Sequence, residues 1–525
     1  MRITSLHSVV EQAGEIDILP MDLVEFNSKG HLLIIASAKQ INAVVPHLTG
    51  LTISCVCVDD NAKDVIDGIN VIAAELPTIS GWLGQFSIEF DGQQLTCDLV
   101  LDLSVSPVLA TKVLPLGYFA PRNDQQKLAE ALQQLPDIIG TFDKPKYFDY
   151  KASICAHSRR GVQGCNQCLD ACPADAISSD KELVLVNPSL CQGCGSCTTV
   201  CPSGAMTYAL PTLDVSINRL RMMMQTYAEL ETEAPHIVIH DLDNGQQLID
   251  AMGEQLPNTV ILFSIEEIGA LGMPFWLSAI AYGAQAVTVW DAGSHSDHDW
   301  LELQQEIIKT NQMLAGLAYP DDAVNWFAGN NIKQLAVYLS ETKPALPVEA
   351  ATFAGIDDKR RMIKFAIDHL AQQVEHSVDV LALDNNAAFG EILVDTKACT
   401  LCMSCVSVCP AGAVLDGVDK PQLNFIEDLC VQCGLCETAC PEDAIELNAR
   451  FLLDTEAVRK PRLLYEEPVF NCVSCSKPFA TKKMIDTMME KLKDHHMFQG
   501  AALERLKMCE DCRVKAMFND AKGPM

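Results

Sequence analysis

The most reactive side chains of this chain are thiols, and most of its 23 cysteines stand in runs. Residues 399–410, CTLCMSCVSVCP, and 430–441, CVQCGLCETACP, share the spacing C-x2-C-x2-C-x3-C-P. Thiolates so close let one tight loop wrap three corners of a 4Fe–4S cubane, and the proline ends the loop as a helix begins. In paired runs of this kind the fourth cysteine of each crosses to the other cluster. One cluster then takes Cys399, Cys402, Cys405 and Cys440, and the other Cys430, Cys433, Cys436 and Cys409.

Residues 155–201 repeat this plan with one change. CQGCGSCTTVCP supplies Cys191, Cys194, Cys197 and Cys201 in the same spacing. Its partner run keeps Cys165, Cys168 and Cys172-Pro173, but nine residues, AHSRRGVQG, separate Cys155 from Cys165 where the other runs have two. A loop can bulge before the first ligand without moving the other three, and Gly161 and Gly164 give the backbone the freedom to do so. On this reading Cys155, Cys165, Cys168 and Cys201 hold one cluster, and Cys191, Cys194, Cys197 and Cys172 hold its neighbour. Without Cys155 the first site would be a three-cysteine 3Fe–4S centre. Arg159 and Arg160 make the insert Ala156–Gly164 either a docking or potential-tuning loop or a plain excursion into solvent. After the four crossing cysteines come CPADAI, CPSGAM, CPAGAV and CPEDAI, short turns that bring backbone N–H groups close to sulfur.

A further site lies in the tail, where Cys472, Cys475, Cys509 and Cys512 are spaced C-x2-C-x33-C-x2-C. Two such knuckles can present four thiolates tetrahedrally to Zn2+ and fasten the ends of the helical stretch between them. The alternatives are a fifth iron–sulfur cluster, or His495 or His496 in place of a cysteine.

The elements that carry these sites alternate. Residues 31–58 read as strand, helix and strand, and Asp91-Gly92 between two alternating apolar runs signals a hairpin. Cys55, Cys57 and Cys97 read as buried structural thiols. Residues 235–345 repeat a strand–helix rhythm, which predicts a parallel sheet covered by helices. The charge-free stretch Ile268–Trp290 is long enough to span a bilayer, but Gly283-Ala284 splits it into a helix-like and a β-branched part, so it reads as a buried helix–turn–strand. The expected organisation is multidomain α/β and α+β: an α/β domain (1–145), a dicluster module (146–212), a Rossmann-like α/β domain (213–350), a helical linker (351–390), a second dicluster module (391–455) and a helical tail with a four-cysteine site (456–525).

Charge bounds the partners. With 38 basic and 69 acidic residues the net charge is −31, which argues against a general binder of nucleic acid or of anionic membranes. The start, MRITSLHSVVEQAGEIDILP, has no signal-peptide pattern, and clustered free thiols fit a reducing cytoplasm.

Both cysteine blocks resemble bacterial two-cluster ferredoxin domains. The resemblance implies two antiparallel hairpins and two short helices about a pseudo-twofold axis, and an electron-carrying role. The order of segments over most of the chain also resembles a group of large cytoplasmic iron–sulfur proteins of proteobacteria often encoded beside molybdenum formate dehydrogenases. That implies four 4Fe–4S clusters relaying electrons between a redox enzyme, formate dehydrogenase, and a cytoplasmic carrier. The 213–350 domain is faintly similar to the small iron–sulfur subunit of hydrogenase–heterodisulfide reductase complexes, without its cysteines. Two other readings stand beside the relay: a catalytic oxidoreductase subunit whose 213–350 domain binds flavin or substrate, and an assembly protein that uses its clusters structurally.

Overall fold

The computed structural model describes residues 10, 14, 22–59, 61–72, 76–90, 92–252, 256–257, 259–293, 300–341, 348–374, 378–418 and 420–520. The first α/β unit has a parallel five-stranded sheet in the order Asn70–Ile72, Thr52–Cys57, His31–Ala36, Leu99–Asp102, Tyr118–Phe119. Its central strand HLLIIA is apolar almost throughout because both faces are covered. Cys55 and Cys57 point into one core with Ile34 and Leu101, and Cys97 into the opposite core with Phe86 and Tyr118, as structural thiols should. Phe86–Phe90 and Gln93–Cys97 pair as the predicted hairpin, with Phe90 opposite Gln93, though Asp91 itself lies outside the described residues.

The second α/β unit has a parallel four-stranded sheet, in the order Val260–Ile265, His236–Asp241, Ala286–Asp291, Val324–Ala328. The charge-free stretch resolves into a short 3-10 turn Ile268–Ala270, a fully buried helix Met273–Ala281 and the strand Ala286–Asp291. No helix among the described residues is long and apolar enough to cross a membrane.

Between residues 351 and 390 the main element is the helix Lys359–Gln373, started by the Asp358 carboxylate, which accepts the Arg361 N–H at 3.0 Å. Met362, Ile363, Ala366, Ile367 and Leu370 recur at helical spacing and bury against Trp276 and Ile280. The stretch expected to be a linker is therefore one wall of the second α/β core. Its polar face carries Lys359, Arg360 and Lys364 toward the cysteine modules.

Each module is built from two antiparallel pairs and two short helices, the mixed architecture expected for a ferredoxin-type domain. In the first, Phe148–Tyr150 pairs with Met206–Tyr208 and Ile177–Asp180 with Leu183–Val186, around the helices Gln167–Asp170 and Ser196–Val200. In the second, Gly390–Val394 pairs with Ile445–Leu452 and Val414–Asp416 with Gln422–Phe425, around Ser404–Val408 and Leu435–Thr438. The tail first adds the strand Arg462–Glu466 to the second module. It then forms a small hairpin, Val469–Asn471 with Pro478–Thr481, and the helices Lys482–Leu492 and Glu510–Asp520.

Candidate metal centres

The cysteine loops share an unusual backbone. In the three compact runs the residues two and four places after the first cysteine are left-handed: Gly193 and Gly195, Leu401 and Met403, Gln432 and Gly434. Left-handed residues two apart turn backbone N–H groups to the inside of the loop, a concavity suited to anions and iron–sulfur sites. Holding Leu401, Met403 and Gln432 there costs on the order of 1–3 kcal/mol each, which marks a functional constraint. Every crossing cysteine is followed by a second repeat. The third residue after it is left-handed in all four cases, Asp175, Gly204, Gly412 and Asp443, a position where Gly or Asp is tolerated. The turn then aims an N–H at the crossing sulfur: Ala176 at Cys172 (3.3 Å), Met206 at Cys201 (3.4 Å), Ala413 at Cys409 (3.3 Å) and Ala444 at Cys440 (3.3 Å).

The thiols gather in four quartets. Cys165 and Cys168 are pushed up to about 11 and about 12 by burial and then by Cys201 and Cys155 beside them. Cys197 is raised by burial and by Cys194, Cys191 and Cys172. Burial, then Cys399, Cys402 and Cys440, push Cys405 up to about 12. Burial, then Cys430, Cys433 and Cys409, raise Cys436. Thiols buried beside one another disfavour any one thiolate, and a bound metal cation reverses that preference. No cysteine is in a disulfide.

The insert at Cys155 folds as a hairpin, Ser158–Arg159 with Val162–Gln163, turning at left-handed Arg160 and Gly161. Its ends are pinned together, because Gly164 N–H donates to the His157 carbonyl (2.8 Å) and Cys165 N–H to that of Ala156 (2.9 Å). The nine-residue detour therefore returns Cys155 to the side of Cys165. Buried His157 ties the hairpin to its own module through the Cys165 carbonyl (3.0 Å) and the Ser179 hydroxyl (2.7 Å). The tip lies on the second module: Arg159 Nη1 is 3.5 Å from the Cys409 carbonyl, and a Cβ at Gly164 would sit 2.7 Å from the Leu435 side chain.

Other contacts cross the same boundary. Arg360 donates to the Pro202 carbonyl (3.2 Å) next to Cys201, to that of Ala388 (2.6 Å) and to that of Cys430 (2.7 Å), with its guanidinium 4.3 Å from the centre of the Phe389 ring. Lys359 donates to the Thr198 carbonyl at 3.1 Å and also to that of Thr199, and Lys364 pairs with Asp428 (2.6 Å). Sequence reasoning missed these three cations. The available signal was a basic cluster, KRRMIK, just inside a capped helix of a strongly acidic chain.

In the tail, the sulfurs of Cys472, Cys475, Cys509 and Cys512 all lie within 4.8 Å of one another, and those of Cys475 and Cys509 are 3.7 Å apart. A tetrahedral ion with bonds of about 2.3 Å holds its sulfurs about 3.8 Å apart, so the set fits one ion and is too tight for a cubane. Burial would raise the Cys472 thiol, but backbone N–H groups, that of Ser474 at 3.4 Å among them, outweigh it and pull it down to about 6. His495 and His496 stack on each other and are not part of the sulfur set.

Comparison with known proteins agrees with this geometry. Two family models described as 4Fe–4S dicluster domain match residues 163–205 and 398–445, the first beginning after Cys155. The chain is 43% identical over 53 residues to Ferredoxin-1 of Caulobacter vibrioides, covering 10% of the chain and 45% of the relative. It is 43% identical over 42 residues to the ferredoxin 7Fe of Hydrogenibacillus schlegelii, 8% of the chain and 51% of the relative. Pyruvate synthase subunit PorD of Thermotoga maritima is 36% identical over 58 residues, 11% of the chain and 56% of the relative. The matches span about half the length of each relative. The chain carries two 4Fe–4S dicluster ferredoxin domains.

Proposed function

We propose that this chain is an electron relay with four 4Fe–4S clusters. Their ligands are Cys155, Cys165, Cys168 and Cys201; Cys191, Cys194, Cys197 and Cys172; Cys399, Cys402, Cys405 and Cys440; and Cys430, Cys433, Cys436 and Cys409. The observation that carries this reading is that all four crossing cysteines, including the one in the interrupted run, are followed by the same left-handed turn and receive the same kind of N–H bond. The clusters supply reversible one-electron chemistry. The protein supplies thiolates, amide donors and dry surroundings, the levers that set reduction potential.

The tail quartet Cys472, Cys475, Cys509 and Cys512 holds a structural Zn2+, supported by the close spacing of its sulfurs. The relay works in the cytoplasm between a redox enzyme and a soluble carrier. A redox-enzyme partner is supported by the likeness to a pyruvate synthase subunit, and formate dehydrogenase by the resemblance in segment order. Metal and sulfide analysis of anaerobically purified protein tests the reading. It predicts about sixteen irons, four for each cubane, and about one zinc per chain. Eight or twelve irons would refute the count, and a zinc-free chain would refute the tail assignment.

A second reading rests on one observation. A cavity of about 660 Å³ lies at the carboxyl ends of the second sheet, between Asn244, Asp291, Gly293 and Gly329. Its place beside the strand His236–Asp241, where the strand order reverses, is where open α/β sheets bind ligands. Here a flavin or substrate fed by the clusters would sit, and flavin released from denatured protein would establish it.

A further inference from the structure

The four quartets are not two separate pairs. Gly164, next to Cys165 of the first module, packs against Leu435, next to Cys436 of the second. Arg360 joins the carbonyl of Pro202, which follows Cys201, to that of Cys430. The Cys155 and Cys430 quartets therefore face each other, with the Cys191 and Cys399 quartets outside them and the interrupted run at the middle. The ends differ from the middle. Against the Cys191 quartet, Gly195 meets the backbone of Gly269 and Thr199 donates to the Gly269 carbonyl (2.7 Å). In the outer quartet at the opposite end, Cys402 is exposed.

The middle is held from two sides. On one, the insert hairpin lies on Leu435 and the Cys409 carbonyl. On the other, one guanidinium donates both to the carbonyl that follows Cys201 and to that of Cys430. Arginine suits this place: its donors form a rigid planar fork, it stays charged when buried, and it stacks on an aromatic ring, here Phe389. A fixed positive charge shared by two centres favours the more negative, reduced form of each.

We propose that the Cys155 and Cys430 centres form the junction of a single four-centre electron path, and that Arg360 is the positioning residue that fixes the spacing of this junction and raises its potential. The proposal rests on the four-cluster reading above. An electron from a one-electron reductant enters at one end, and each transfer oxidises one centre as it reduces the next. No bond forms or breaks, and the electron leaves to a one-electron acceptor at the other end. The insert is then an internal dock between modules.

The test is an EPR-monitored redox titration of the anaerobically purified full chain as wild type, Arg360→Gln and Arg360→Lys, with reduced methyl viologen as electron source and iron measured in each. All three should hold the same iron. In Arg360→Gln the two junction centres should become about tenfold harder to reduce, roughly 59 mV for one electron, while the two outer centres stay in place. Arg360→Lys should recover most of that shift. Four unmoved potentials, or four that move together, would overturn the proposal. Should Arg360→Gln lose iron, Gly164→Val carries the test: its side chain meets Leu435 and the Ala156 carbonyl, and it should weaken the magnetic coupling between the two modules. Unchanged coupling in that variant would overturn the proposal as well. A wild-type chain with fewer than four reducible centres would instead refute the four-cluster reading, whatever the variants do.

Discussion

The two dicluster modules have the same plan, but opposite surroundings. In the module of residues 146–212 the outer quartet is walled in. Gly195 approaches the backbone of Gly269 and Ala270, Gly193 lies against the Tyr147 ring, and buried Lys144 donates to the carbonyls of Ser189 (2.9 Å) and Cys191 (2.6 Å). In the module of residues 391–455 the position equivalent to Gly195 is Gly434, where a Cβ would meet nothing, and the outer quartet has the exposed ligand Cys402. The interrupted run belongs to the enclosed module and faces the other one. One ferredoxin plan thus has its outer loop enclosed by the second α/β unit in one module and an exposed ligand in the other, and the difference lies in what the surrounding chain does to the same loops.

The largest expected effect comes from testing whether the interrupted run is as complete as the compact one. Cys155→Ser and Cys399→Ser should each turn one 4Fe–4S centre into a three-cysteine site that loses at least about one iron and gives a 3Fe–4S signal on oxidation, and leave the other three centres. Unchanged iron in Cys155→Ser would show that the hairpin does not deliver a ligand.

The walled and open loops are compared most directly by one substitution at equivalent positions. Gly434→Ala meets only the left-handed backbone and should cost about 1–2 kcal/mol. Gly195→Ala adds a Cβ 2.4 Å from backbone atoms and should cost about 2–5 kcal/mol, measured by thermal unfolding of the iron-loaded chain. Equal costs would mean that the enclosure of the first module contributes little.

The zinc proposed for the tail gives a further contrast between the ends. The Lys483 side chain, on the helix that follows the tail hairpin, donates to the Thr396 carbonyl (2.8 Å) near Cys399. Zinc chelation should therefore speed oxidative loss of the Cys399 centre, followed by EPR in air, without touching the enclosed Cys191 centre. The smallest effect should come from the exposed Arg159: Arg159→Ala removes one long contact to the second module and should change stability by less than about 1 kcal/mol.

Much of this was legible in the sequence because it is local. Cysteine spacing fixes which loops can wrap a cluster, and the Gly or Asp at residues 175, 204, 412 and 443 already permits the left-handed turn. The β-branched run after Gly283-Ala284 separates strand from helix in the charge-free stretch, as found. Arg360 was not legible, because its partners are carbonyls supplied by residues 158 and 70 positions away and carry no side-chain signature. Residues 351–390 passed for a linker because the apolar stripe of the helix Lys359–Gln373 covers a core built from a distant helix, Met273–Ala281. The insert reads from sequence as a docking or potential-tuning loop or as a plain excursion into solvent, since nothing in AHSRRGVQG says that the surface under it belongs to the same chain.

The central claim, that the interrupted and compact modules carry equal complements in one continuous path, is tested most directly by spin-integrated low-temperature EPR of the full chain. The account predicts about four spins per chain on full reduction, magnetically coupled across both modules, and no 3Fe–4S signal in the oxidised protein. Two or three spins, or a 3Fe–4S signal assignable to the run without Cys155, would contradict it.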